Sequence, residues 1–217
     1  FLALGARSYH AIDVFDLAGD EDPAFYGRLL DRFLEGREAD RERARALAGA
    51  PGAREFGYAV GRDFDISRLA EGRNFDLIVS CAAFEHYDDP SQAIASLTQV
   101  ARPGCASVHI IDLQTHSRWI REHDPNNIYR YPERLYRLFR FPGQPNRHRP
   151  ADYVGSFAGQ GWSDVRFAPS RVIDPALREV SLQGLAAPFA GRDDMSILDG
   201  ALTARYPGPD GDRGRAA

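Results

Sequence analysis

The sequence contains no lysine, and all 27 of its basic residues are arginine. A catalytic Schiff base and a Walker-type phosphate loop each require a lysine, so both mechanisms are excluded. Cysteine is scarce as well: Cys81 and Cys105 show neither the spacing of a metal site nor that of a disulfide framework. Both lie in apolar, strand-like segments, and we expect them to be buried free thiols in a reducing cytoplasm.

Long apolar runs and an excess of basic charge are also missing. No apolar run approaches the ~20 residues that a membrane span requires, and no signal peptide is visible. The net charge is -4 and the pI is about 5.9, so the chain has no electrostatic footprint for nucleic acid. We expect a cytoplasmic protein that has neither a nucleic-acid partner nor a membrane association.

Four short apolar segments alternate with helical patterns in the first half of the chain, over residues 8–14, 55–60, 75–81 and 107–113. This alternation predicts an α/β fold: a Rossmann-like, doubly wound and mostly parallel sheet with helices on both faces. The segment 75–81 (FDLIVSC) is apolar enough to be buried on both faces. Such sheets bind ligands beyond the carboxyl ends of their strands, so the residues that follow each strand are the candidate site.

The remaining pattern completes a single domain over residues 1–206. Residues 23–48 read as one or two amphipathic helices broken near Gly36, and residues 90–100 form a helix capped by Asp88 or Asp89. Later segments predict helices over 132–140 and 151–158, a strand within 162–173, and a final strand over 195–205. Residues 207–217 have nothing to bury and predict a disordered tail.

Residues 75–104 (FDLIVSCAAFEHYDDPSQAIASLTQVARPG) carry a family resemblance. They resemble the class I S-adenosylmethionine (SAM) dependent methyltransferases of the broad bacterial small-molecule kind, whose pattern here includes an Asp in the strand, then Glu-His, Asp-Pro and Pro-Gly. The matching positions are Phe75, Asp76, Glu85, His86, Asp89, Pro90, Leu97, Val100, Pro103 and Gly104. The chain departs from the pattern at Cys105, where the family usually has a second glycine.

The resemblance implies how the nucleoside of SAM is held. Residues 7–18 look like the family's second strand, so Asp13 would accept from the ribose hydroxyls; Asp16 is a nearby alternative. Residues 61–69 look like the segment whose acid meets the adenine amino group, which implies Asp65, with Ile66 against the purine. From the residues alone, Asp13 could equally cap a turn, and Asp65 could belong with Asp63 to a solvated surface turn.

The resemblance also places the end of the third strand beside the transferred methyl group. Ser80, Cys81 and His86 would then line the SAM pocket, although Cys81 could serve packing alone. In this family a first strand and an E/D-x-G-x-G-x-G loop come earlier in the chain, and we expect both to precede Phe1.

His116 follows the fourth strand at the rim where acceptors dock in this fold. An unperturbed imidazole titrates near ~6.5, which suits a general base at neutral pH, and Asp112 could orient it. A helix cap or a surface histidine is an equally good reading. IDLQTHS and NRHRPADY are similar to segments of some bacterial members, and Asp112, Asn146, Arg147, Arg149 and Tyr153 could face the acceptor. No cluster has metal-ligand spacing, so no metal is expected.

The expected function is transfer of a methyl group from SAM to an oxygen or nitrogen atom of a small-molecule acceptor: a metabolite, a sugar or a natural product. A non-catalytic relative that binds or scaffolds is the main alternative. A nicotinamide oxidoreductase is a weaker one, since a Tyr-x-x-x-Lys pair is impossible without lysine. The identity of the acceptor and the oligomeric state stay open.

Overall fold

A computed structural model describes residues 1–16, 22–38, 40–43, 56–141 and 143–209. The chain divides into two compact units, Phe1–Arg73 and Asn74–Ala217. Each unit contains its own sheet. The predicted tail lies outside the described residues from position 210 onward, and so do parts of the predicted helical segment 23–48.

The first unit contains a parallel pair of strands, β1 (Tyr9–Asp13) and β2 (Phe56–Val60). A short 3-10 turn precedes β1 and ends at Gly5, whose φ of 101° is readily adopted only by glycine. Helix α1 (Pro23–Phe33) ends before Gly36, as the sequence predicts, and α2 (Ile66–Leu69) follows β2. The parallel pairing of the first two predicted strands is confirmed.

The second unit contains a four-stranded sheet in the order β3-β4-β6-β5. Its strands are β3 (Phe75–Cys81), β4 (Ala101–Asp112), β5 (Ser163–Val172) and β6 (Ile197–Arg205). β3 and β4 are parallel, whereas β6 runs antiparallel to both β4 and β5. The predicted parallel pair 75–81 and 107–113 is confirmed, and β6 alternates between buried and partly exposed positions as its sequence indicates. The fold is α/β, of the Rossmann-like type.

The second unit's helices are α3 (Pro90–Val100), α4 (Arg118–Arg121), α5 (Glu133–Leu138), α6 (Pro150–Gly159) and α7 (Arg178–Leu182). Asp89 caps α3 by accepting from the N–H groups of Ser91 and Gln92, which decides between the two predicted caps. Within the described ranges, no helix is both long and apolar enough to cross a membrane.

One prediction about the sheet is wrong: β3 is not buried on both faces. Leu77 is 45% exposed and Val79 is 40% exposed. β3 stands at the end of the strand order, with β4 as its one described neighbour. An apolar strand sequence indicates that a segment can be buried, but the neighbouring elements decide how many of its faces are covered.

The core of the second unit lies where α3 and α6 pack against each other and α6 packs against β5. Ile94 and Leu97 of α3 are buried, and Phe157 of α6 is fully buried. Trp162, which precedes β5, donates its indole N–H to Thr98 Oγ1 of α3 at 2.9 Å. This bond satisfies the one polar atom of a nearly buried indole and joins α3 to the start of β5.

Two adjacent isoleucines of β4 test this packing. Ile111 is fully buried, and Ile110 is 41% exposed on the other face. Ile111→Ala should lower the free energy of unfolding by about 2–5 kcal/mol, because it leaves a cavity in a close-packed core. Urea denaturation measures the loss. Ile110→Ala removes the same atoms from the same strand and should cost clearly less; equal losses would contradict the packing described here.

Candidate active site

Asp13 lies at the carboxyl end of β1, in the first unit. Its Oδ1 accepts hydrogen bonds from the backbone N–H groups of Val14 at 2.6 Å and Phe15 at 3.2 Å. These bonds fix the turn that leaves the strand, as in the turn-capping alternative. Both bonds go to one oxygen, so a ribose contact through the other oxygen is compatible with this geometry and stays a prediction.

Asp65 caps α2, also in the first unit. Its Oδ1 accepts from Ser67 Oγ at 2.6 Å and from the Arg68 N–H at 3.1 Å. The Ser67 hydrogen bond, followed by that from Arg68, lowers the pKa of the Asp65 carboxyl. Asp63 pairs with the Arg68 side chain at 2.7 Å, and Ile66 is buried. This local geometry agrees with the surface-turn alternative, and the adenine contact is untested by it.

The end of β3, in the second unit, carries Ser80 and Cys81. Ser80 Oγ bonds to Nδ1 of His109 at 2.8 Å, and Ser107 Oγ bonds to Nε2 of the same ring at 2.6 Å. Burial lowers the pKa of His109 to about 3, so the ring is neutral and the two hydroxyls take opposite donor and acceptor roles. The Ser80 hydroxyl is therefore held in a fixed orientation.

Cys81 corrects a second expectation, because its side chain is exposed while Cys105 is buried. The chain turns sharply directly after it: Ala82 has a φ of 50°, in the left-handed region that is costly for any residue except glycine. Backbone strain of this kind concentrates at functional sites. The exposure of Cys81 follows from its place at the open end of an edge strand.

Three side chains of the second unit converge beyond β3 and β4: Glu85, His86 and His116. Glu85 and His86 lie on a 3-10 turn, Phe84–His86, and His116 lies in the loop after β4. The two imidazole centroids are 5.0 Å apart in an edge-to-face arrangement. The structure thus brings together two predicted site residues that are 30 positions apart in the sequence, with an acid that the sequence marked only as a motif match.

Glu85 is the most unusual residue of this cluster. It is 1% exposed, and neither carboxylate oxygen accepts a hydrogen bond of normal geometry from any described residue. Burial raises the pKa of Glu85 to about 7, and the negative charge of Asp112 adds to the shift. Nδ1 of His86 is likewise buried without a hydrogen-bond partner among the described residues.

His116 lies beside Asp112, as its spacing predicts, with Nε2 at 3.9 Å from Asp112 Oδ2. That distance permits an electrostatic contact but exceeds a hydrogen bond. Partial burial lowers the pKa of His116 more strongly than Asp112 raises it, so the imidazole is neutral at neutral pH. Its side chain remains 32% exposed, which leaves it reachable from solvent.

The Asp112 carboxylate contacts two residues that the sequence did not indicate. Arg121 of α4 forms an ion pair with Asp112 Oδ2, and Gln114 donates its backbone and side-chain N–H groups to Oδ1, both at 3.1 Å. A cavity of about 420 Å³ opens beside this group; it is lined by Gln114, Arg121, Glu122, Pro125, Arg171, Val172, Asp174, Leu177 and Leu198. Its walls combine acids, arginines and apolar side chains.

Arg147 and Arg149, two of the predicted acceptor residues, donate hydrogen bonds to backbone carbonyl oxygens. Arg149 is fully buried; its guanidinium donates to the carbonyl oxygens of Leu113 at 3.3 Å and Ile197 at 2.6 Å. Arg147 donates to the Tyr131 carbonyl oxygen at 2.5 Å and pairs with Glu133. Both guanidinium groups are thus directed into loop backbone, and a contact with the acceptor stays a prediction.

Tyr153 likewise supports the turn that carries Glu85 and His86. Its hydroxyl donates to Asn146 Oδ1 at 2.9 Å, and Asn146 Nδ2 donates to the carbonyl oxygens of Phe84 at 2.8 Å and Tyr87 at 2.9 Å. Burial raises the pKa of the Tyr153 phenol, so it stays a neutral donor. Asn146 and Tyr153 therefore hold the backbone of the turn that carries Glu85 and His86.

Residues 34–108 match the family model described as a methyltransferase domain. This match assigns residues 34–108 to a methyltransferase domain. The matched segment covers about a third of the chain and includes the Glu85–His86 turn and most of β4. The predicted family resemblance is confirmed. No curated protein matches the chain at a significant level.

Solved methyltransferase structures show a loose similarity to the chain. An O-methyltransferase candidate from Nostoc punctiforme PCC 73102 has 13% identity and a TM-score of 0.47, over 92% of this chain and 44% of that one. An O-methyltransferase family protein from Burkholderia thailandensis has 14% identity and a TM-score of 0.45, over 94% and 52%. Human N-acetylserotonin methyltransferase, solved with SAM, has 12% identity and a TM-score of 0.41, over 92% and 48%.

The chain thus spans about half the length of these three proteins. TM-scores below 0.5 do not establish a common fold. The assignment of residues 34–108 to a methyltransferase domain therefore rests on the family match.

Arg149 offers a test of these backbone contacts. Arg149→Lys should lower the free energy of unfolding by about 3 kcal/mol or more, because an ammonium cannot reach the same set of buried carbonyl oxygens. Chemical denaturation measures this loss. Arg171→Lys, at a side chain that is 53% exposed, should change stability by less than about 1 kcal/mol. A stable Arg149→Lys protein would return Arg149 to the list of acceptor-facing candidates.

Proposed function

We propose that this protein transfers a methyl group from SAM to an oxygen or nitrogen atom of a small-molecule acceptor. The observation that carries the proposal is the family match over residues 34–108, whose span includes Glu85 and His86. The cluster beyond β3 and β4 supports it, because ligands of open α/β sheets bind at the carboxyl ends of parallel strands.

Methyl transfer from SAM requires the protein mainly to align the acceptor atom with the methyl group. The acceptor atom displaces the sulfonium sulfur in line: a bond forms from oxygen or nitrogen to the methyl carbon, and the carbon–sulfur bond breaks. S-adenosylhomocysteine leaves as a neutral thioether, so the leaving group needs no activation. The residues must orient the two reactants and remove one proton from the acceptor.

For SAM itself, we assign the ribose to Asp13 and the adenine to Asp65 and Ile66, following the family order. Ser80, Cys81 and His86 are assigned to the pocket around the methyl-bearing end. The Ser80 hydroxyl is suited to such a contact because His109 fixes its direction at 2.8 Å. Cys81 contributes a small, exposed side chain that leaves room for the reactants.

For the acceptor, we assign His116 as the catalytic residue and Asp112 as the group that orients it. The neutral imidazole of His116 offers a lone pair that can take the proton of an acceptor hydroxyl or amine. The nearby cavity, which Arg121 links to Asp112, is of a size suited to a small polar molecule. Arg147, Arg149 and Tyr153 act in this proposal by holding the loops around the acceptor.

Cofactor binding gives the first test. Isothermal titration calorimetry should detect SAM and S-adenosylhomocysteine with a dissociation constant near ~1 μM, about −8 kcal/mol. Asp13→Ala should weaken both affinities about tenfold or more, since a charged acceptor would be lost from the ribose. Asp16→Ala removes the alternative acid three residues away and serves as the matched control. Equal effects of the two variants, or none, would remove Asp13 from the site.

Methyl transfer to a panel of hydroxylated and amine-bearing metabolites, followed with methyl-labelled SAM, gives the second test. His116→Ala should lower the rate by ~10²-fold or more while SAM affinity stays within about twofold. His123→Ala, at an exposed histidine seven residues away, should leave the rate unchanged. SAM binding without turnover of any acceptor would favour the non-catalytic alternative. Turnover that survives in His116→Ala would leave alignment as the source of catalysis.

A further inference from the structure

The ligand atoms of Glu85, His86 and His116 all lie within 4.8 Å of one another. They come from two separate loops, one after β3 and one after β4, so chain proximity does not explain why all three meet. Helix formation does not explain it either, since His116 lies outside any helix. The shared feature of the three groups is that each presents a lone pair.

The Glu85 carboxylate is what sets this cluster apart from an ordinary group of polar side chains. Both of its oxygens are buried and lack hydrogen-bond partners among the described residues. A buried carboxylate in that state is strongly unfavourable unless a cation or a proton neutralises it. Arg121 interacts with Glu85 electrostatically, but it directs its hydrogen bonds to Asp112 and Gln114.

His86 repeats the same feature on the other side of the cluster. Its Nδ1 is buried and has no hydrogen-bond partner in the described chain. The turn that carries this ring is held by Asn146, which donates to the carbonyl oxygens of Phe84 and Tyr87 on either side of the Glu85–His86 pair. Two buried, unpartnered groups on one clamped turn therefore face a third ligand group from another loop.

We propose that Glu85, His86 and His116 form a binding site for a divalent transition-metal ion. Two imidazoles and one carboxylate are a donor set typical of Zn²⁺ and of the neighbouring metals, whereas Mg²⁺ and Ca²⁺ prefer oxygen ligands throughout. Three protein ligands leave a further coordination position open. We take Zn²⁺ as the ion that the donors fit best.

The distances require only a small adjustment. Donors bound to Zn²⁺ at about 2.0–2.1 Å lie roughly 3.4 Å apart in a tetrahedral site, so the widest pair here must close by at most about 1.4 Å. His116 can supply that movement, because its side chain is 32% exposed and lies in a loop. Glu85 and His86 can remain on the turn that Asn146 holds.

Calorimetric titration of ZnCl₂ into chelator-treated protein tests the proposal directly. The expected result is one equivalent bound with a dissociation constant of about 1 μM or tighter. Glu85→Gln and His116→Ala should each weaken the affinity at least about tenfold. Glu122→Gln and His123→Ala, an exposed acid and an exposed histidine on the neighbouring loop, should leave it within about twofold.

Visible absorption of the Co²⁺-loaded protein adds a readout of the ligands. The spectrum should lack a thiolate band and should survive in Cys81→Ser, since the proposed donors are nitrogen and oxygen. Circular dichroism shows whether each variant is folded. Should Glu85→Gln unfold, His116→Ala decides the question, because its partly exposed side chain contributes little to the core.

Two results would overturn the proposal: no binding of Zn²⁺ by the wild-type chain, or equal affinity in wild type and His116→Ala. In either case a proton would be the neutralising partner of Glu85. The binding site does not depend on the proposed methyl transfer. Because a coordinated imidazole has no free lone pair at that nitrogen, the rate assays on His116→Ala are run with metal-free protein, which keeps the two tests separate.

Discussion

The buried guanidinium of Arg149 is the contact on which the loops of the second unit depend. A guanidinium cannot lose its charge, so it is tolerated in the interior only when acceptors surround it. Its acceptors include the carbonyl oxygen of Leu113, directly after β4, and that of Ile197, where β6 begins. The Tyr129 hydroxyl donates to the same Leu113 oxygen at 2.7 Å. The chain is thereby fixed just before the loop that carries His116.

Asn146, three residues before Arg149, holds the turn that carries Glu85 and His86. It accepts from Tyr153 and donates to the backbone on both sides of Glu85 and His86. A single short segment, residues 146–149, therefore holds the two loops that bring Glu85, His86 and His116 together. Precise placement of a site by a rigid supporting layer is what catalysis and metal binding both need. Polar residues of this segment contribute to function through position, without facing a ligand.

The fold keeps the Glu85 carboxyl group buried at this site, although neither of its oxygens has a hydrogen-bond partner among the described residues. Burial of an acid that lacks a hydrogen-bond partner lowers the stability of the folded state unless the charge is neutralised. Ala82 nearby, with a φ of 50° in the left-handed region, is a further departure from low-energy local structure. Such departures gather where a site is built, and the surrounding core of α3, α6 and β5 supplies the stability that offsets them.

The sequence by itself determined the elements and the family. Apolar periodicity located the strands and most helices, since side-chain burial imposes a period of two or 3.6 on the chain. The Glu-His, Asp-Pro and Pro-Gly spacing of residues 85–104 identified the methyltransferase domain, because a motif is local and needs no partner. Asp112 and His116 were also predicted as neighbours, at four residues apart.

Only the tertiary structure decided which side chains meet and which are covered. The apolar sequence of β3 predicts that Leu77 and Val79 are buried. Both are partly exposed in the structure, where β3 has one described neighbouring strand. The sequence places Arg149 among the acceptor-site candidates, yet four backbone and hydroxyl oxygens from distant positions surround its guanidinium. The convergence of Glu85 and His86 with His116 across 30 positions follows from the parallel pairing of β3 and β4. The physical reason is common to all three: burial and contact depend on groups far along the chain, and a local pattern contains no information about them.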